Sequence, residues 1–318
     1  MKKVFILMIV LLLGLTACNS STPTPTASTA ITPSGSMAAT QGTQQTGIVK
    51  ASGLTLDGGE YPVMDGSTAC LPLMARVRAA VTGVPLREAE ELTSCSTTPD
   101  AYKKLVQGDV DILLVYEPAI NTQTVIEASG VKLESTPVGR DALVFITNKE
   151  NPVNSLTTEQ LVDIYTGDIT NWNQVGGEGK AIRAFQRAEE SGSQALFIKL
   201  LMKDKTPMEV EKYYYPKGMG DLIEELVEYT NEADALGFSV FYYAAYMYVK
   251  PELKFIGVNG VAPSDSTLMD KTYPLTNDFY VVIREDAAQD SPARRLRDWI
   301  CTEEGRKTLI DAGYIPAD

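Results

Sequence analysis

Beyond residue 60, short apolar runs alternate with segments in which apolar residues recur every three or four positions. Continuous apolar runs bounded by turn residues indicate strands buried on both faces, whereas the wider spacing indicates helices that bury one face. The pattern predicts strands over residues 61–64, 111–116, 143–147, 182–187, 236–241, 253–258 and 278–283. It predicts helices over residues 71–81, 99–107, 155–165, 193–202, 221–230, 293–301 and 302–311, with Thr98 as the N-cap of the second of them. This alternation favours an α/β fold in which helices cover both faces of parallel sheets.

The first 17 residues have the pattern of a signal peptide. Lys2 and Lys3 precede an apolar run over residues 4–15, which is short for a membrane span but suits a secretory signal. Small residues before Cys18 resemble the bacterial lipobox, in which the cysteine is lipidated and becomes the new N-terminus. The alternative is an ordinary signal peptide with an incidental cysteine.

Residues 19–49 carry no charged side chain and are crowded with Ser, Thr, Pro, Gln and Ala. Such a composition cannot bury enough apolar surface to offset the entropy of ordering the chain. We therefore expect residues 18–46 to form a disordered tether, with the folded part beginning at residue 47. The protein is predicted to be extracytoplasmic and anchored to the cell membrane through a lipidated Cys18.

Charge and composition exclude several classes of function. The chain has 28 Lys and Arg residues against 41 Asp and Glu residues, a formal charge of −13, so no general positive field draws in nucleic acid. It has no histidine, which excludes Ser-His-Asp and Cys-His catalysis and histidine-based zinc sites. Because no pair of nucleophile and base can be named, we expect neither an enzyme nor a bound cofactor.

Three cysteines follow Cys18, namely Cys70, Cys95 and Cys301. An exported compartment permits disulfides, and Cys70–Cys95 is the plausible pair because both lie at helix starts near one predicted cleft. The alternative is three buried thiols that act as small apolar residues. No C-x-x-C spacing is present, so we expect no metal site.

Three turns that lead into helices share small hydroxyl residues. They are Asp-Gly-Ser-Thr at residues 65–68, Thr-Thr at 97–98, and Arg-Ala-Glu-Glu-Ser-Gly-Ser at 187–193. Helix N-termini at such turns offer unpaired N–H groups and the positive end of a dipole. Arg187 adds a bidentate cation, so the third turn predicts an oxyanion site. The alternative is plain N-capping by Ser191 beside a surface arginine.

Residues 185–193 resemble the R-x-x-x-S-G-[ST] signature of the phosphate-binding proteins of phosphate ABC transporters. The resemblance covers most of residues 59–316. It includes the segment before the signature at 152–172, the Ala-Leu-Gly-Phe-Ser strand at 235–239 and the closing helices at 299–314.

The resemblance implies a two-lobed fold like that of type II periplasmic binding proteins. Each lobe would be a mostly parallel sheet flanked by helices, and two crossover strands would join the lobes. Strands 143–147 and 278–283 flank a middle region that looks inserted. We therefore expect residues 47–140 and 270–318 in lobe 1 and residues 141–269 in lobe 2.

The resemblance also implies a function, the capture of phosphate between the lobes by a monomer that delivers it to an ABC permease. The alternative is an exported binding module of the same fold that recognises another oxyanion or small solute in sensing or adhesion. The residues implied to contact the ligand are Ser67, Thr68, Thr97, Thr98, Glu117, Arg187, Ser191, Gly192 and Ser193. Glu117 would replace the aspartate with which the family accepts the proton of HPO₄²⁻, a route to selecting phosphate over sulfate.

Overall fold

The computed structural model describes residues 53–210, 220, 222–223 and 234–318. The predicted signal peptide at 1–17, the predicted tether at 18–46 with Cys18, and most of the predicted helix at 221–230 lie outside the described residues. Those three features stay predictions.

The strands form a mixed sheet. Their bounds are β1 Met64–Gly66, β2 Ile112–Val115, β3 Leu133–Asn148, β4 Ser155–Leu156, β5 Arg183–Ala184, β6 Ala235–Val240, β7 Leu253–Val258, β8 Thr276–Arg284 and β9 Ile315–Pro316. The order is β1-β2-β8-β3-β6-β5, with β7 beside β3 and β4, and β9 beside β3. The pairs β1–β2, β4–β7 and β5–β6 are parallel, and each antiparallel pair among these strands includes β3 or β8. The α/β class is confirmed, and the sheet is mixed because β3 and β8 run against their neighbours.

β3 is shared by the two halves of the sheet. Its residues 133–142 pair with β8, whereas residues 143–148 pair with β6 and β7. The partners change between Ala142 and Leu143, close to the predicted lobe boundary after residue 140. The lobe boundaries themselves stay a prediction.

Helices flank these strands. Their bounds are α1 Leu71–Thr82, α2 Leu86–Glu91, α3 Thr98–Gln107, α4 Ile120–Ser129, α5 Thr158–Thr166, α6 Gly192–Leu196, α7 Asp265–Met269, α8 Pro292–Ile300 and α9 Glu303–Asp311. A 3-10 turn at Thr68–Cys70 leads into α1, and a π-helical turn at Phe197–Met202 continues α6. Within the described part of the chain, no helix is long and apolar enough to cross a membrane.

Some predicted boundaries are corrected. β5 covers only Arg183–Ala184 of the predicted strand 182–187. Thr97 rather than Thr98 is the N-cap of α3, because Thr97 is extended and its hydroxyl accepts a hydrogen bond from Asp100 N. The apolar spacing does not predict α4. Its first apolar residue, Ile120, is 78% exposed, so the apolar positions of this helix do not mark a buried face.

An aromatic cluster holds α6 in place. Tyr165 of α5 and Phe238 of β6 pack against Phe197, which directly follows α6, and Phe145 of β3 packs against Tyr165 and Phe238. The Phe197 and Phe238 rings stack with centroids 4.5 Å apart. Burying such rings gives large apolar stabilisation with defined geometry. The start of α6 is thereby fixed relative to β3 and β6.

The three cysteines in the described part of the chain are thiols. Cys70 is buried, Cys95 is half-buried and Cys301 is exposed, and each of these three described cysteines is free. Of the two alternatives that the sequence left open, the Cys70–Cys95 disulfide is therefore absent. The alternative of three buried thiols is wrong for Cys301, which is exposed.

Candidate functional site

One cavity of about 350 Å³ gathers eight of the nine predicted ligand-binding residues. They are Ser67, Thr68, Thr97, Thr98, Arg187, Ser191, Gly192 and Ser193. We refer to the first four as the first wall and to the last four as the second wall. The two walls are 89 or more residues apart in sequence, so the fold brings them together.

Three helical starts meet at this cavity. Ser67 precedes the 3-10 turn before α1, Thr97 caps α3, and Ser191 caps α6 by accepting a hydrogen bond from Gln194 N. The first N–H groups of a helix have no partner within the helix, and the helix dipole places positive charge there. Three such ends around one cavity favour an anion.

The hydroxyls of the first wall bond to the protein. Ser67 Oγ lies 2.7 Å from Thr98 Oγ1, and Ser67 Oγ accepts a hydrogen bond from Tyr116 N over 3.2 Å. Both side chains are buried. Their geometry is therefore set before any ligand arrives.

A buried carboxylate fixes the two loops of the first wall to each other. Asp65 Oδ1 accepts a hydrogen bond from Ser96 N over 2.7 Å, and Asp65 Oδ2 accepts from Ser96 Oγ and from Lys104 Nζ. Burial alone would raise the pKa of Asp65, but the hydrogen bonds from Ser96, Lys104 and Gly66 lower it. The carboxylate stays ionised and ties the end of β1 to the start of α3.

The second wall presents a cation and a buried hydroxyl. Arg187 is 4% exposed, and its backbone N–H donates to Gln194 Oε1 over 2.9 Å, which closes the turn before α6. Ser193 is 1% exposed, and among the described residues its hydroxyl has no hydrogen-bond partner. A buried polar group without a partner costs stability, which makes such a group in a cavity a mark of ligand binding.

The walls touch at Gly192. A Cβ atom at this position would lie 2.8 Å from Thr98 Oγ1, closer than side-chain atoms normally approach. Only glycine lets the start of α6 come this close to α3. The cavity is therefore closed on that side.

Glu117 does not join the cavity, contrary to the sequence-based expectation. Its carboxylate accepts a hydrogen bond from Tyr280 Oη over 2.9 Å and forms an ion pair with Lys199. Among the described residues, the carboxylates that line the cavity are Asp100 and Glu190, both exposed. A glutamate follows β2 as expected, but its side chain points towards β8 and the segment after α6.

A model of the PBP superfamily domain matches residues 64–301, a stretch that includes both walls. The chain belongs to the PBP superfamily. The resemblance carried by residues 185–193 is thus confirmed at the level of the family.

Relatives of this PBP superfamily chain include transport proteins. It is 27% identical to protein SphX of Synechococcus elongatus over 240 residues, 70% of this chain and 67% of that protein. It is 25% identical to the phosphate-binding protein PstS of Staphylococcus haemolyticus over 227 residues, 69% of each. A substrate-binding protein of Clostridium perfringens, assigned to phosphate ABC transport and solved with bound phosphate, matches with a TM-score of 0.61 and 25% identity, covering 80% of this chain and 98% of that one.

Sequence reasoning about this PBP superfamily member missed two residues that hold the first wall in place. Tyr116 lines the cavity, and Asp65 holds the first wall. Asp65 lies in β1 and Tyr116 directly follows β2, at strand ends where ligand contacts gather in α/β sheets. Their position near strand ends could have identified both residues.

Proposed function

We propose that this chain is an extracytoplasmic solute-binding protein that captures phosphate in the cavity between the two walls and delivers it to an ABC importer. Its relatives named above include a phosphate-binding protein and a structure with phosphate bound. The protein acts by binding and release rather than by catalysis.

The observation that carries the proposal is the buried Ser193 hydroxyl, beside the buried Arg187, at the start of α6. Leaving a buried donor unsatisfied costs about 1–3 kcal/mol. A ligand oxygen in the cavity removes that cost. An oxyanion offers acceptors in several directions and a charge that matches the guanidinium.

The acidic surface does not oppose this function. Binding depends on groups within a few ångströms, namely helix N–H groups, hydroxyls and Arg187. Asp100 and Glu190 line the cavity as exposed side chains, and the Asp100 charge is partly matched by Lys103 at 3.4 Å. Solvent and salt screen exposed charges of this kind.

The first wall supplies a partner for the proton of HPO₄²⁻. In the Ser67–Thr98 pair either hydroxyl can be the donor. A hydroxyl can both donate and accept, so the pair can rearrange to accept a hydrogen bond from a protonated oxyanion. Sulfate has no proton to donate at neutral pH, so selection of phosphate over sulfate depends on groups that only accept, and the described carboxylates that line the cavity are Asp100 and Glu190.

The proposal extends to attachment and partner. A lipid on Cys18 would hold the protein at the membrane, and residues 18–46 would let it reach a permease as a monomer. Residues 47–140 with 270–318, and residues 141–269, would be the lobes that close on the ligand. The change of partners along β3 after Ala142 supports a boundary there.

The test is calorimetric titration of phosphate, sulfate and molybdate into the purified protein. We expect phosphate to bind and sulfate to bind more weakly. Phosphate at 100 times its Kd should raise the free energy of unfolding by about 2.7 kcal/mol, measured by thermal shift. Absence of binding by all three anions would overturn the proposal in favour of a module for another solute.

A further inference from the structure

Asp141 is a buried carboxylate at the place where β3 changes partners. The residue is 1% exposed and pairs with Asn277 of β8, while Leu143, two residues further on, pairs with Val240 of β6. The strand order makes this the point where the two halves of the sheet meet.

Hydrogen bonds reach Asp141 from both halves. Tyr116 Oη, at the end of β2, donates to Asp141 Oδ2 over 2.5 Å. Tyr242 N, just after β6, donates to Asp141 Oδ1 over 3.1 Å, and Ala142 N donates to the same oxygen over 2.7 Å. One carboxylate therefore ties the end of β2 to the end of β6.

Two short routes lead from Asp141 to the cavity. The first passes through Tyr116, which lines the cavity and donates its backbone N–H to Ser67 Oγ. The second passes through Tyr242, whose ring stacks on Tyr314 with centroids 3.6 Å apart. Tyr314 Oη in turn donates to the carbonyl oxygen of Ala69, which also lines the cavity.

Ionisation of Asp141 lowers the free energy of unfolding, because the carboxylate is buried. Burial raises its pKa to about 6, although hydrogen bonds from Tyr116 and from the backbone at Ala142, Tyr242 and Phe241 act in the opposite direction. The titratable groups near it or near its partners are Cys70, Arg76, Tyr116, Tyr242 and Tyr314. Burial raises the pKa of the cysteine and of the tyrosines, so they stay neutral near pH 6. The neighbouring Arg140 is ion-paired with Asp278 and Asp318.

The structure assigns Asp141 the role of a positioning residue. Its carboxylate holds Tyr116 and Tyr242, and through them it fixes the position of the first wall relative to the second. The inference rests on the proposed function, because its effect is read through oxyanion affinity. A group kept at a cost in stability and linked to a binding cavity fits a functional role.

The main test is Tyr116→Phe, with Tyr273→Phe as the matched control. Both variants remove one buried tyrosine hydroxyl that donates to β3, because Tyr273 Oη donates to the Leu143 carbonyl over 3.0 Å. We expect Tyr116→Phe to weaken phosphate binding on the order of tenfold, as for residues that act through others. Tyr273→Phe should leave the affinity within about twofold of wild type. Equal affinities in wild type and Tyr116→Phe would overturn the inference.

Asp141→Asn adds a readout that a merely structural role would not give. The amide can keep the backbone hydrogen bonds from Ala142 and Tyr242 on its oxygen, but it replaces the charge-assisted hydrogen bond from Tyr116 Oη with a weaker neutral one, so Tyr116 is held less firmly. Because the folded pKa is raised above the ordinary value of 3.8, wild type loses stability as pH rises from about 4 to about 6. Asp141→Asn should therefore have a higher Tm than wild type at pH 7, a smaller Tm difference at pH 4, and weaker phosphate binding.

The outcomes separate the two claims. A wild-type protein that binds no oxyanion would overturn the proposed function and this inference with it. Wild-type binding of phosphate together with wild-type affinity in Asp141→Asn would overturn this inference alone. If Asp141→Asn does not fold, the comparison of Tyr116→Phe with Tyr273→Phe decides.

Discussion

The two walls of the cavity use similar residues but leave their polar groups in different states. In the first wall, the Ser67 and Thr98 hydroxyls bond to each other, and Ser67 also accepts from Tyr116 N. In the second wall, the Ser193 hydroxyl is buried without a partner among the described residues. The first wall is complete without a ligand, whereas the second wall is completed by one.

Because of this difference, the two walls should contribute differently to the free energy of binding. Groups that already bond to the protein must exchange one hydrogen bond for another, so their net gain on binding is small. A group that is unsatisfied in a buried site gains the full bond when the ligand binds, and a buried arginine adds charge-assisted hydrogen bonds to an anion. We therefore expect the second wall to supply most of the affinity and the first wall to supply shape.

The largest expected effect is that of Arg187→Ala. Removing the cation leaves a desolvated anion without its partner, which costs roughly 3–5 kcal/mol. At 1.4 kcal/mol per decade, phosphate affinity should fall on the order of a hundred- to several-thousandfold. Calorimetric titration measures the loss.

The matched control is Arg183→Ala, four residues earlier on the same stretch of chain. Arg183 is half-buried and pairs with Asp234 at 2.9 Å, outside the residues that line the cavity. This variant should lower Tm but keep the phosphate affinity. An equal loss of affinity in the two variants would contradict the division between the walls.

Ser193→Ala should have the next largest effect. It removes one hydrogen bond to a charged ligand, about 1.5–3 kcal/mol, or on the order of ten- to a hundredfold in affinity. Stability without ligand should not fall, because the deleted hydroxyl has no partner among the described residues. Ser239→Ala is the control, since Ser239 Oγ is also buried and without a described partner but does not line the cavity. A similar affinity loss in both would show that burial, not position, causes it.

Gly192→Ala tests the contact between the walls. The new methyl group would meet Thr98 Oγ1 at 2.8 Å, and overpacking of this kind costs about 1–3 kcal/mol. We expect weaker phosphate binding, because the walls must separate. Thr98→Ala in the same chain should restore part of the affinity, and Gly179→Ala, with open space around it, should change nothing. Loss of affinity without rescue would point to strain within α6 instead.

The second wall was predictable because its signals are local. Arg187, Ser191, Gly192 and Ser193 lie within seven residues, and N-cap chemistry depends only on neighbours in sequence. The α/β class followed from the alternation of apolar patterns for the same reason. The choice between Thr97 and Thr98 as the cap of α3 was not predictable, because adjacent threonines fit the pattern equally.

Features that depend on distant partners were out of reach of the sequence. The first ten residues of β3 include Pro137, Gly139 and three charged side chains, so no apolar run marks them, yet they pair with β8. The contacts of Asp65 with Ser96, and of Glu117 with Lys199 and Tyr280, form only when the chain has folded. Glu117 was placed correctly along the chain, but tertiary partners decide where its carboxylate points.

Ser67→Ala should have the smallest effect on binding and the clearest effect on stability. The change removes the acceptor of Tyr116 N and the partner of Thr98. Losing these hydrogen bonds costs about 0.5–1.5 kcal/mol each. The free energy of unfolding should therefore fall by roughly 1–3 kcal/mol, while phosphate affinity falls less than about tenfold. Denaturant unfolding and calorimetry on the same preparation measure the free energy of unfolding and the phosphate affinity.

Ser193→Ala should show the opposite result, a loss of affinity at unchanged stability. Ser67 would then contribute mainly to the stability of the fold, and Ser193 mainly to ligand binding. If Ser67→Ala lost more affinity than Ser193→Ala at unchanged stability, the first wall would be the principal binding wall.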